Sequence, residues 1–593
     1  MKHILLGAVA FASVVSSCTN NSVNPEITQN EIKESIAFLA SDSLKGRKPG
    51  TPEGKVAADY IASQFEKAGL QKLGDSFFQQ FKVVTKVNEG KNNIFSIGDF
   101  SAKVGEDYRP LAFSHNAKVD ADVVFAGYGI EFENDTLKWN DYKNIDVKGK
   151  WVMMLRQDPD INNSDSPLIA QSTERAKALL ATDKGALGVL FVSGVNTEKK
   201  DILDDLYFDK SKSRADIPVI QITRKLADKI LENNKVEIEK LESKIISDFK
   251  TNSFVVNNSI SAEADVIFEK VNTQNIIAKI EGSDPELKDE IIIIGAHYDH
   301  LGFGGPGSGS RTPDTIAIHN GADDNASGVA GIIQIAQKMA NADKKPKRTV
   351  IFMSFGAEEM GLLGSKFFTE NPLIDIKQIK MMLNFDMIGR LDSAKTLTIG
   401  GTGTTAISEE IINRYATKYN FNIQMSKEGS GPSDHAAFYV KNIPVLFFFT
   451  GIHDDYHTPA DDVEKINFDG EKSVAELGYS IAEDFANMEV APKFIMVDVP
   501  SSKSSRRKLK VTFGIIPNYA GGDERGMRID GVRTGGPAQM GGMQKGDVIV
   551  AIDGKKVANI YDYMARLGRL KKGERCNVDV FRGDKKVVLI LDL

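Results

Sequence analysis

The sequence predicts an α/β fold over its central part, with a mostly parallel (mixed) sheet flanked by helices. Apolar runs of strand length begin near residues 275, 290, 348, 379 and 443 and alternate with segments of helical length. The second run contains four consecutive isoleucines, a pattern typical of strands that are buried on both faces. Residues 328–340 place apolar side chains at helical spacing. Strands that alternate with helices indicate a sheet covered on each side.

The chain is long enough for several domains. Its 593 residues exceed one compact core, and at about 100 to 200 residues per domain we expect three or four units. Charged residues make up 26% of the chain, and 74 basic against 81 acidic residues give a net charge of −7. This balance argues against disorder. It also argues against nucleic acid as a partner, because no basic excess is available for phosphates.

Residues 1–18 are predicted to form a lipoprotein-type signal peptide. Lys2 supplies a positive start, residues 4–15 are almost continuously apolar, and small residues lead to Cys18. The stretch resembles a bacterial lipoprotein signal, in which cleavage precedes a cysteine that becomes lipidated; an ordinary signal peptide is the alternative. We therefore expect an exported protein, anchored to a membrane by lipid only, in the periplasm or at the cell surface. Cys576 is the only other cysteine, so lipidation of Cys18 would exclude an intrachain disulfide.

Polar residues follow three of the apolar runs, and six of the eight histidines lie between residues 297 and 457. The isoleucine run leads into His297 and Asp299, the next into Glu358 and Glu359, and a third into Asp386. Because ligands bind at the carboxyl ends of strands in α/β sheets, we expect these side chains at one site. Carboxylates gathered at an apolar edge are unfavourable unless a cation compensates them.

The types of candidate ligand favour zinc. Imidazole and carboxylate without thiolate suit Zn²⁺, with Co²⁺ or Mn²⁺ as substitutes, whereas Ca²⁺ and Mg²⁺ prefer oxygen alone. The candidates are His297, Asp324, Glu359, Asp386 and His457. Five ligands exceed one open tetrahedral site. They suit two cations about 3.5 to 4 Å apart that share one carboxylate.

The order of these motifs resembles that of the co-catalytic two-zinc exopeptidases, which include bacterial leucyl-type aminopeptidases, glutamate carboxypeptidases, glutaminyl cyclases and the transferrin receptor. The motifs are His297-Tyr298-Asp299, Asp324-Asn325-Ala326-Ser327-Gly328, Glu358-Glu359, Asn384-Phe385-Asp386, Ser433-Asp434-His435 and Tyr456-His457-Thr458. The resemblance implies two zinc ions per chain, bridged by Asp324. His297 and Asp386 would complete one site, and Glu359 and His457 the other.

The same resemblance suggests roles for residues beside the ligands. Glu358 matches the general base, and Tyr456 matches a residue that polarises the oxyanion in some relatives, with simple packing as the alternative. Asp299 shares a strand face with His297 and could orient its imidazole, unless it is only a turn residue. Asp434 and His435 match a loop near the metals and are expected to support the ligands without binding zinc.

Three further histidines and a glycine-rich segment give weaker evidence of function. His300, His319 and His453 are expected to face solvent or to support the ligands. Residues 302–309 are rich in glycine, but no Gly-Lys-Ser/Thr follows them, so we expect a loop at the rim of the site rather than a phosphate cradle.

The flanking segments divide the chain into further units. Residues 19–109 are interpreted as the N-terminal part of the peptidase domain, which residues 261–490 complete. Residues 110–260 resemble an inserted, β-rich protease-associated domain, on motifs such as Ala126-Gly127-Tyr128-Gly129-Ile130; it could be a lid, select substrates or only pack. Residues 491–510 are a predicted linker. Residues 511–593 resemble a PDZ domain, on Gly536-Pro537-Ala538 and Ile552-Asp553-Gly554.

These observations together predict an exported zinc-dependent exopeptidase, most simply an aminopeptidase that removes N-terminal residues from peptides. A carboxypeptidase or a glutaminyl cyclase would use the same scaffold, and a peptide-binding relative without catalysis is a third alternative. The expected partners are a peptide substrate and a peptide or protein ligand at the PDZ-like domain. An intramolecular brace is the competing role for that domain.

Overall fold

A computed structural model of the chain describes residues 24–161, 163, 165–208, 213–497, 511–517, 525–533 and 535–593. The predicted signal peptide with Cys18, and most of the predicted linker at 491–510, lie outside these residues. Within the described ranges, every helix is too short or too polar to cross a membrane.

The described residues begin with two helices and two strands of the central domain: α1 (Gln29–Leu39), α2 (Pro52–Lys67), β1 (Gln71–Lys72) and β2 (Phe78–Glu89). Thr28 and Thr51 are the N-caps of the helices, and their hydroxyls accept the backbone N–H groups of Glu31 and Gly54. Such caps satisfy N–H groups that the first helical turn leaves unpaired. The two helices therefore begin where the sequence supplies a hydroxyl.

The inserted domain follows as an eight-stranded sheet in the order β4-β3-β12-β6-β9-β10-β11-β5, with a separate β7–β8 hairpin. Its elements are β3 (Ile94–Ile97), β4 (Phe100–Ser101), β5 (Tyr108–Pro110), β6 (Ala117–Ala126), β7 (Glu131–Glu133), β8 (Lys138–Asn140), β9 (Trp151–Leu155), α3 (Glu174–Asp183), β10 (Gly188–Val192), β11 (Val219–Ile222), α4 (Arg224–Leu231), α5 (Ile238–Asp248) and β12 (Ser253–Ala264). The sheet begins at Ile94, before the predicted boundary at residue 110, because β3 pairs with β12.

The central domain then resumes around a nine-stranded mixed sheet. Its elements are β13 (Val266–Ile280), β14 (Ile291–His297), α6 (Gly328–Ala340), β15 (Thr349–Phe355), α7 (Leu363–Glu370), β16 (Ile379–Phe385), β17 (Thr396–Gly400), α8 (Ser408–Tyr419), β18 (Asn422–Met425), α9 (His435–Tyr439), β19 (Val445–Phe449) and α10 (Phe468–Asn487). The strand order is β1-β13-β15-β14-β16-β19-β17-β18, with β2 paired to β13. The four central strands are parallel, and β13 and β17 run antiparallel to them. The predicted fold class is confirmed.

Both faces of this sheet are covered, which explains the apolar runs of the sequence. All seven residues of β14 are buried. Ile292 and Ile294 pack in a core that includes residues of α1, α2, α6 and α10. Ile291 and Ile293 pack on the opposite face with residues of α7 and α9. Side chains therefore alternate between two apolar layers, and only the strand ends can carry polar groups.

The insertion leaves and re-enters the central sheet through two paired strands. β2 and β13 are antiparallel, with pairs that run from Phe78 and Ile276 to Glu89 and Val266. The register shifts once, between Glu269 and Lys270 on β13, so Thr85 on β2 has no opposite partner. Thr85 is thus the extra residue of a β-bulge, a feature that bends a strand locally.

The C-terminal domain has its own sheet and core. Its elements are β20 (Ile515–Pro517), β21 (Met527–Val532), α11 (Pro537–Met540), β22 (Val548–Ile552), β23 (Lys555–Lys556), α12 (Ile560–Leu567), β24 (Arg575–Arg582) and β25 (Lys585–Asp592). Cys576 is a free, buried thiol within this core.

Charged contacts join the C-terminal domain to the inserted domain. Arg566 on α12 is buried, and its guanidinium contacts both carboxylate oxygens of Asp183 at the end of α3, with Nη2 at 2.7 Å from Oδ1. The Lys556 amine lies 2.8 Å from a carboxylate oxygen of Asp216. The Arg175 guanidinium lies 4.7 Å from the centre of the Tyr561 ring. The C-terminal domain therefore packs on the inserted domain rather than projecting freely.

Candidate metal centre

The carboxyl ends of three parallel strands bring the predicted ligands together. His297 is the last residue of β14, Glu359 lies shortly after β15, and Asp386 directly follows β16. Asp324 lies in the irregular turn Ala322–Ser327 before α6, and His457 lies in the loop between β19 and α10. His297, Asp324 and Asp386 are buried, with exposed fractions of 1%, 3% and 9%. Residues spread over the sequence thus meet in one buried cluster.

The cluster consists of two groups that share Asp324. In the first group, His297 Nε2 lies 3.2 Å from Asp324 Oδ1 and 3.4 Å from Asp386 Oδ1. In the second, His457 Nε2 lies 3.1 Å from Asp324 Oδ2 and 3.2 Å from Glu359 Oε2. Two ligands of a tetrahedral zinc ion, each about 2.0 to 2.1 Å from the metal, stand about 3.3 Å apart. The donor spacing therefore fits a cation in each group, with one Asp324 oxygen for each.

The crowded carboxylates change the protonation of both imidazoles. Burial alone would lower the pKa of His297, but the charges of Asp386 and Glu358 and a hydrogen bond to Asp324 raise it well above its usual value. For His457, burial is again outweighed, and hydrogen bonds to Asp324 and Glu359 raise the pKa to about 11. Both imidazoles therefore hold protons in the metal-free protein at neutral pH. Ligation requires neutral imidazole, so metal binding competes with these protons.

Each of these imidazoles is oriented through its other nitrogen. His297 Nδ1 lies 3.2 Å from the backbone oxygen of Asp299, and His457 Nδ1 lies 2.9 Å from that of Gly309. Gly309 belongs to the predicted rim loop, which thus holds a ligand as well as bordering the site. A carbonyl that accepts from the second ring nitrogen fixes the tautomer and orientation of a ligating histidine.

The Asp299 carboxylate has a different role from the one predicted. It lies 4.0 Å from the His297 imidazole, farther than the backbone oxygen of the same residue. Its two oxygens instead accept the backbone N–H groups of Glu358 and Glu359, at 2.9 and 3.3 Å. The chain turns after β14, so the strand alternation used in the prediction no longer applies there. Asp299 therefore positions the loop that carries the two glutamates.

Asp434 and His435 lie in different surroundings, although they are neighbours in sequence. Asp434 is fully buried, and burial raises the pKa of its carboxyl to about 7, while the charge of His297 opposes the shift. His435 stacks on Phe447, with ring centres 4.5 Å apart and an angle of 14° between the rings. Burial lowers its pKa to about 3, so the imidazole is neutral. Of the two, only Asp434 interacts electrostatically with a ligand, and His435 packs as an aromatic ring.

His300, His319 and His453 do not face solvent. Of the two roles expected for them, solvent exposure is therefore wrong. His300 is 1% exposed, and its Nδ1 lies 2.8 Å from Glu359 Oε1. His319 Nε2 lies 2.8 Å from the Ser310 hydroxyl in the rim region, and His453 Nε2 lies 3.2 Å from Asp323 Oδ2. His300 is also placed to ligate a cation with Asp324 and Glu359. In the sequence, the position of His300 directly after His297-Tyr298-Asp299 was the one indication that it lies near the ligands.

Tyr456 lies beside the second group. Its ring stacks on His457, with centres 3.8 Å apart and an angle of 23°. Burial and the charges of Asp324 and Glu359 raise the pKa of its hydroxyl far above the usual value. The phenol therefore keeps its proton at neutral pH and remains a hydrogen-bond donor.

Residues outside the motifs fix the loop that carries Tyr456 and His457. The Asp461 carboxylate accepts the backbone N–H groups of Asp323 and Asp324, each at 3.0 Å. Arg390 Nη2 lies 3.3 Å from Asp461 and 3.2 Å from Asp455. The loop and the turn of the bridging aspartate are therefore tied together. The role of Asp461, Arg390 and Asp455 was not predicted from the sequence, because single charged residues in loops form no periodic pattern.

Arg47 connects the N-terminal segment to the same centre. Its buried guanidinium donates to four backbone oxygens, those of Leu39, Tyr298, Asn320 and Gly321. Burial lowers the pKa of Arg47 to about 10, so the side chain remains charged at neutral pH. The predicted N-terminal part of the domain thus supports the chain directly after His297 and the segment that leads to Asp324.

Replacing Arg47 with alanine should lower the free energy of unfolding by about 3 kcal/mol, because buried carbonyl oxygens lose a charged donor. Chemical denaturation followed by circular dichroism would measure the loss. Lys45→Ala is the matched control: Lys45 is 51% exposed in its ion pair with Glu53, so its loss should cost less than about 1 kcal/mol. Equal losses for both variants would contradict the assigned role of Arg47.

Zinc binding by the metal-free protein should release about two protons per chain near neutral pH, because His297 and His457 must become neutral. Calorimetric titrations in buffers of different ionisation enthalpy would count these protons. Apparent affinity should rise with pH, since protons compete with zinc. His435→Phe should not change the count, because that imidazole is already neutral. A binding heat that does not depend on the buffer would show that the histidines are unprotonated.

Paired histidine–carboxylate groups at the strand ends of a mixed α/β sheet are the arrangement that the resemblance to the co-catalytic zinc exopeptidases implied. Residues 275–481 match the family model of peptidase family M28. Residues 119–230 match the PA domain, and residues 504–593 match the PDZ domain. The three resemblances drawn from the sequence are confirmed.

Named relatives include several aminopeptidases. Leucine aminopeptidase 2 of Trichophyton rubrum is 31% identical over 211 residues, which cover 34% of this chain and 38% of that protein. The chain thus spans well under half the length of that relative. Aminopeptidase YwaD of Bacillus subtilis (strain 168) is 24% identical over 475 residues, 78% of this chain and 86% of that protein. The solved aminopeptidase from Aneurinibacillus sp. strain AM-1 has 21% identity and a TM-score of 0.46, over 82% of this chain and 99% of that one.

Proposed function

We propose that the chain is a zinc-dependent aminopeptidase that binds two zinc ions. The observation that carries this proposal is the shared carboxylate: each oxygen of Asp324 faces a separate imidazole–carboxylate pair. His297 and Asp386 would hold one ion, and Glu359 and His457 the other, with Asp324 between them. The names of the relatives support the reaction class. Retention of both groups disfavours a glutaminyl cyclase, which typically keeps one metal.

His457 is the better candidate than His300 for the second ion. One nitrogen of His457 lies within 3.2 Å of both Asp324 and Glu359. The nearest nitrogen of His300 is 2.8 Å from Glu359 but 3.9 Å from Asp324. We therefore assign His300 the role of orienting Glu359.

Glu358 is the proposed general base. When bound, the zinc ions supply Lewis acidity that activates water and polarises the scissile carbonyl. A Glu358 carboxylate oxygen lies 3.9 Å from His297 Nε2, at the edge of the first group. Burial raises the pKa of Glu358 well above its usual value, against the opposing charge of His297, so the carboxylate can hold a proton near neutral pH. It accepts a proton from water and gives it to the leaving amine. The Tyr456 phenol donates a hydrogen bond to the oxygen of the cleaved carbonyl.

Glu358→Gln should lower kcat about a thousandfold on aminoacyl reporters, because proton transfer is lost. Zinc content should stay near two ions per chain, since Glu358 is not a proposed ligand. The neighbouring Glu359→Gln is the matched control and should lose zinc as well as activity. Activity measurements with and without chelator, beside metal analysis, separate these outcomes. Full activity of the Glu358→Gln variant would show that Glu358 is not the general base. Cleavage of N-blocked carboxypeptidase reporters alone would contradict the proposed aminopeptidase activity.

We also propose export with lipid attachment at Cys18, on the strength of the positive start, apolar stretch and terminal cysteine of residues 1–18. Cys18→Ala should move the protein from the membrane fraction to the soluble fraction of its native cell type, without a change in specific activity. Cell fractionation measures this. The buried Cys576→Ser variant should remain in the membrane fraction. If the Cys18→Ala protein stayed in the membrane fraction, lipid at Cys18 would not be what holds the protein there.

A further inference from the structure

A cavity of about 220 Å³ lies beside the second group of ligands, on the side of the inserted domain. Glu359 and His300 line one end of it. The rest of its wall comes from residues 48–49, 85–87, 206–208, 301, 304, 306–308 and 360. The cavity has room for several waters or one large side chain. It is too small for a folded ligand and adjoins the proposed reaction site directly.

The inserted domain supplies one wall through Leu206, Tyr207 and Phe208. The Tyr207 ring packs on Gly307 of the rim loop so closely that a Cβ at Gly307 would lie 2.9 Å from the ring. The Phe208 ring packs edge-on against Phe268 of β13, at 6.1 Å between centres. The wall therefore rests on both the rim loop and the central sheet.

An arginine anchors the chain that leads into this wall. Arg109 contacts Asp205 at 2.7 Å and Glu89 at the end of β2 at 2.5 Å. The Arg109 side chain is 17% exposed, so water screens these contacts only in part. Thr85, the bulged residue of β2, also lines the cavity. Bulges are frequent beside functional sites, where they redirect neighbouring side chains.

Much of the cavity wall is apolar, although Glu359 and His300 line one end, and two cations lie beside it. Its apolar lining residues are Pro49, Val87, Leu206, Leu301, Pro306 and Met360. Lys48 and Lys86 also line it, and both side chains are exposed. Within the described part of the chain, neither lysine has an ion-pair partner. The site therefore suits a ligand with an apolar body and a nearby carboxylate.

We propose that this cavity binds the residue that follows the scissile bond, with an apolar side chain inside it and a carboxylate near Lys48 and Lys86. This inference rests on the proposed aminopeptidase function and names its substrate class, short peptides with an apolar second residue. The lysines repel the N-terminal ammonium group of a substrate, so that end belongs elsewhere in the cleft. The leaving fragment of a short peptide carries the carboxylate that the lysines attract.

The test compares kcat/KM for Leu-Phe, its C-terminal amide and Leu-Gly. The double variant Lys48→Gln/Lys86→Gln should lower the ratio of Leu-Phe to its amide by about fivefold, through KM, because only the free carboxylate loses an attraction. Tyr207→Ala should lower the ratio of Leu-Phe to Leu-Gly about tenfold, because the side chain loses an apolar wall. Comparing ratios between variants removes the intrinsic difference in leaving groups. Lys67→Gln, an exposed lysine on α2, should keep the wild-type ratios.

Calorimetry provides a readout without turnover. Leu-Phe should bind zinc-loaded Glu358→Gln protein, and adding the two lysine substitutions should weaken binding about fivefold. If wild-type protein cleaves none of the peptides, the proposed function fails and this inference with it. If wild-type protein cleaves all of them and the lysine and Tyr207 variants keep its ratios, the aminopeptidase stands and the cavity assignment is wrong.

Discussion

Carboxylates gathered at the end of an apolar sheet repel one another, and this repulsion is the constraint on which the rest of the central domain depends. Asp324, Glu359 and Asp386 lie within hydrogen-bond distance of the imidazoles of His297 and His457. Without metal, those imidazoles take up protons that offset the negative charge. Parallel strands explain the location, since their buried bodies exclude charge and their carboxyl ends meet at one edge.

Groups around the cluster hold it in place against that repulsion. Asp299 fixes the loop of the two glutamates through backbone N–H groups, and Asp461 fixes the turn of Asp324 in the same way. Arg47 contributes a positive charge and gathers carbonyl oxygens from separate loops. Each contact uses the main chain, so ligand geometry depends on backbone position rather than on flexible side-chain pairs. Preorganised donors of this kind are what paired metal sites require.

Strands, helices and the ligands that directly follow them could be predicted from the apolar pattern of the sequence. Residues whose positions depend on loops could not. Buried strands and the helix at residues 328–340 have continuous or periodic apolar patterns, and the ligands follow them directly. His300, Arg47 and Asp461 lie in loops, where direction depends on tertiary contacts rather than on spacing. The inserted domain begins at Ile94 rather than at residue 110, and the sequence did not reveal this start because the first two strands have only four and two residues. His435 shares a motif with Asp434, yet its ring is buried against Phe447.

The antiparallel pairing of β2 with β13 has a consequence for the history of the chain. The inserted domain begins after Glu89 and ends before Val266, and these two residues face each other across one ladder. The whole inserted domain therefore takes the place of the turn that would join β2 to β13. Removing it would leave a gap that a short turn could close, and the strands on either side would keep their partners. Such a junction lets the accessory domain be exchanged among descendants while the sheet beneath it stays the same.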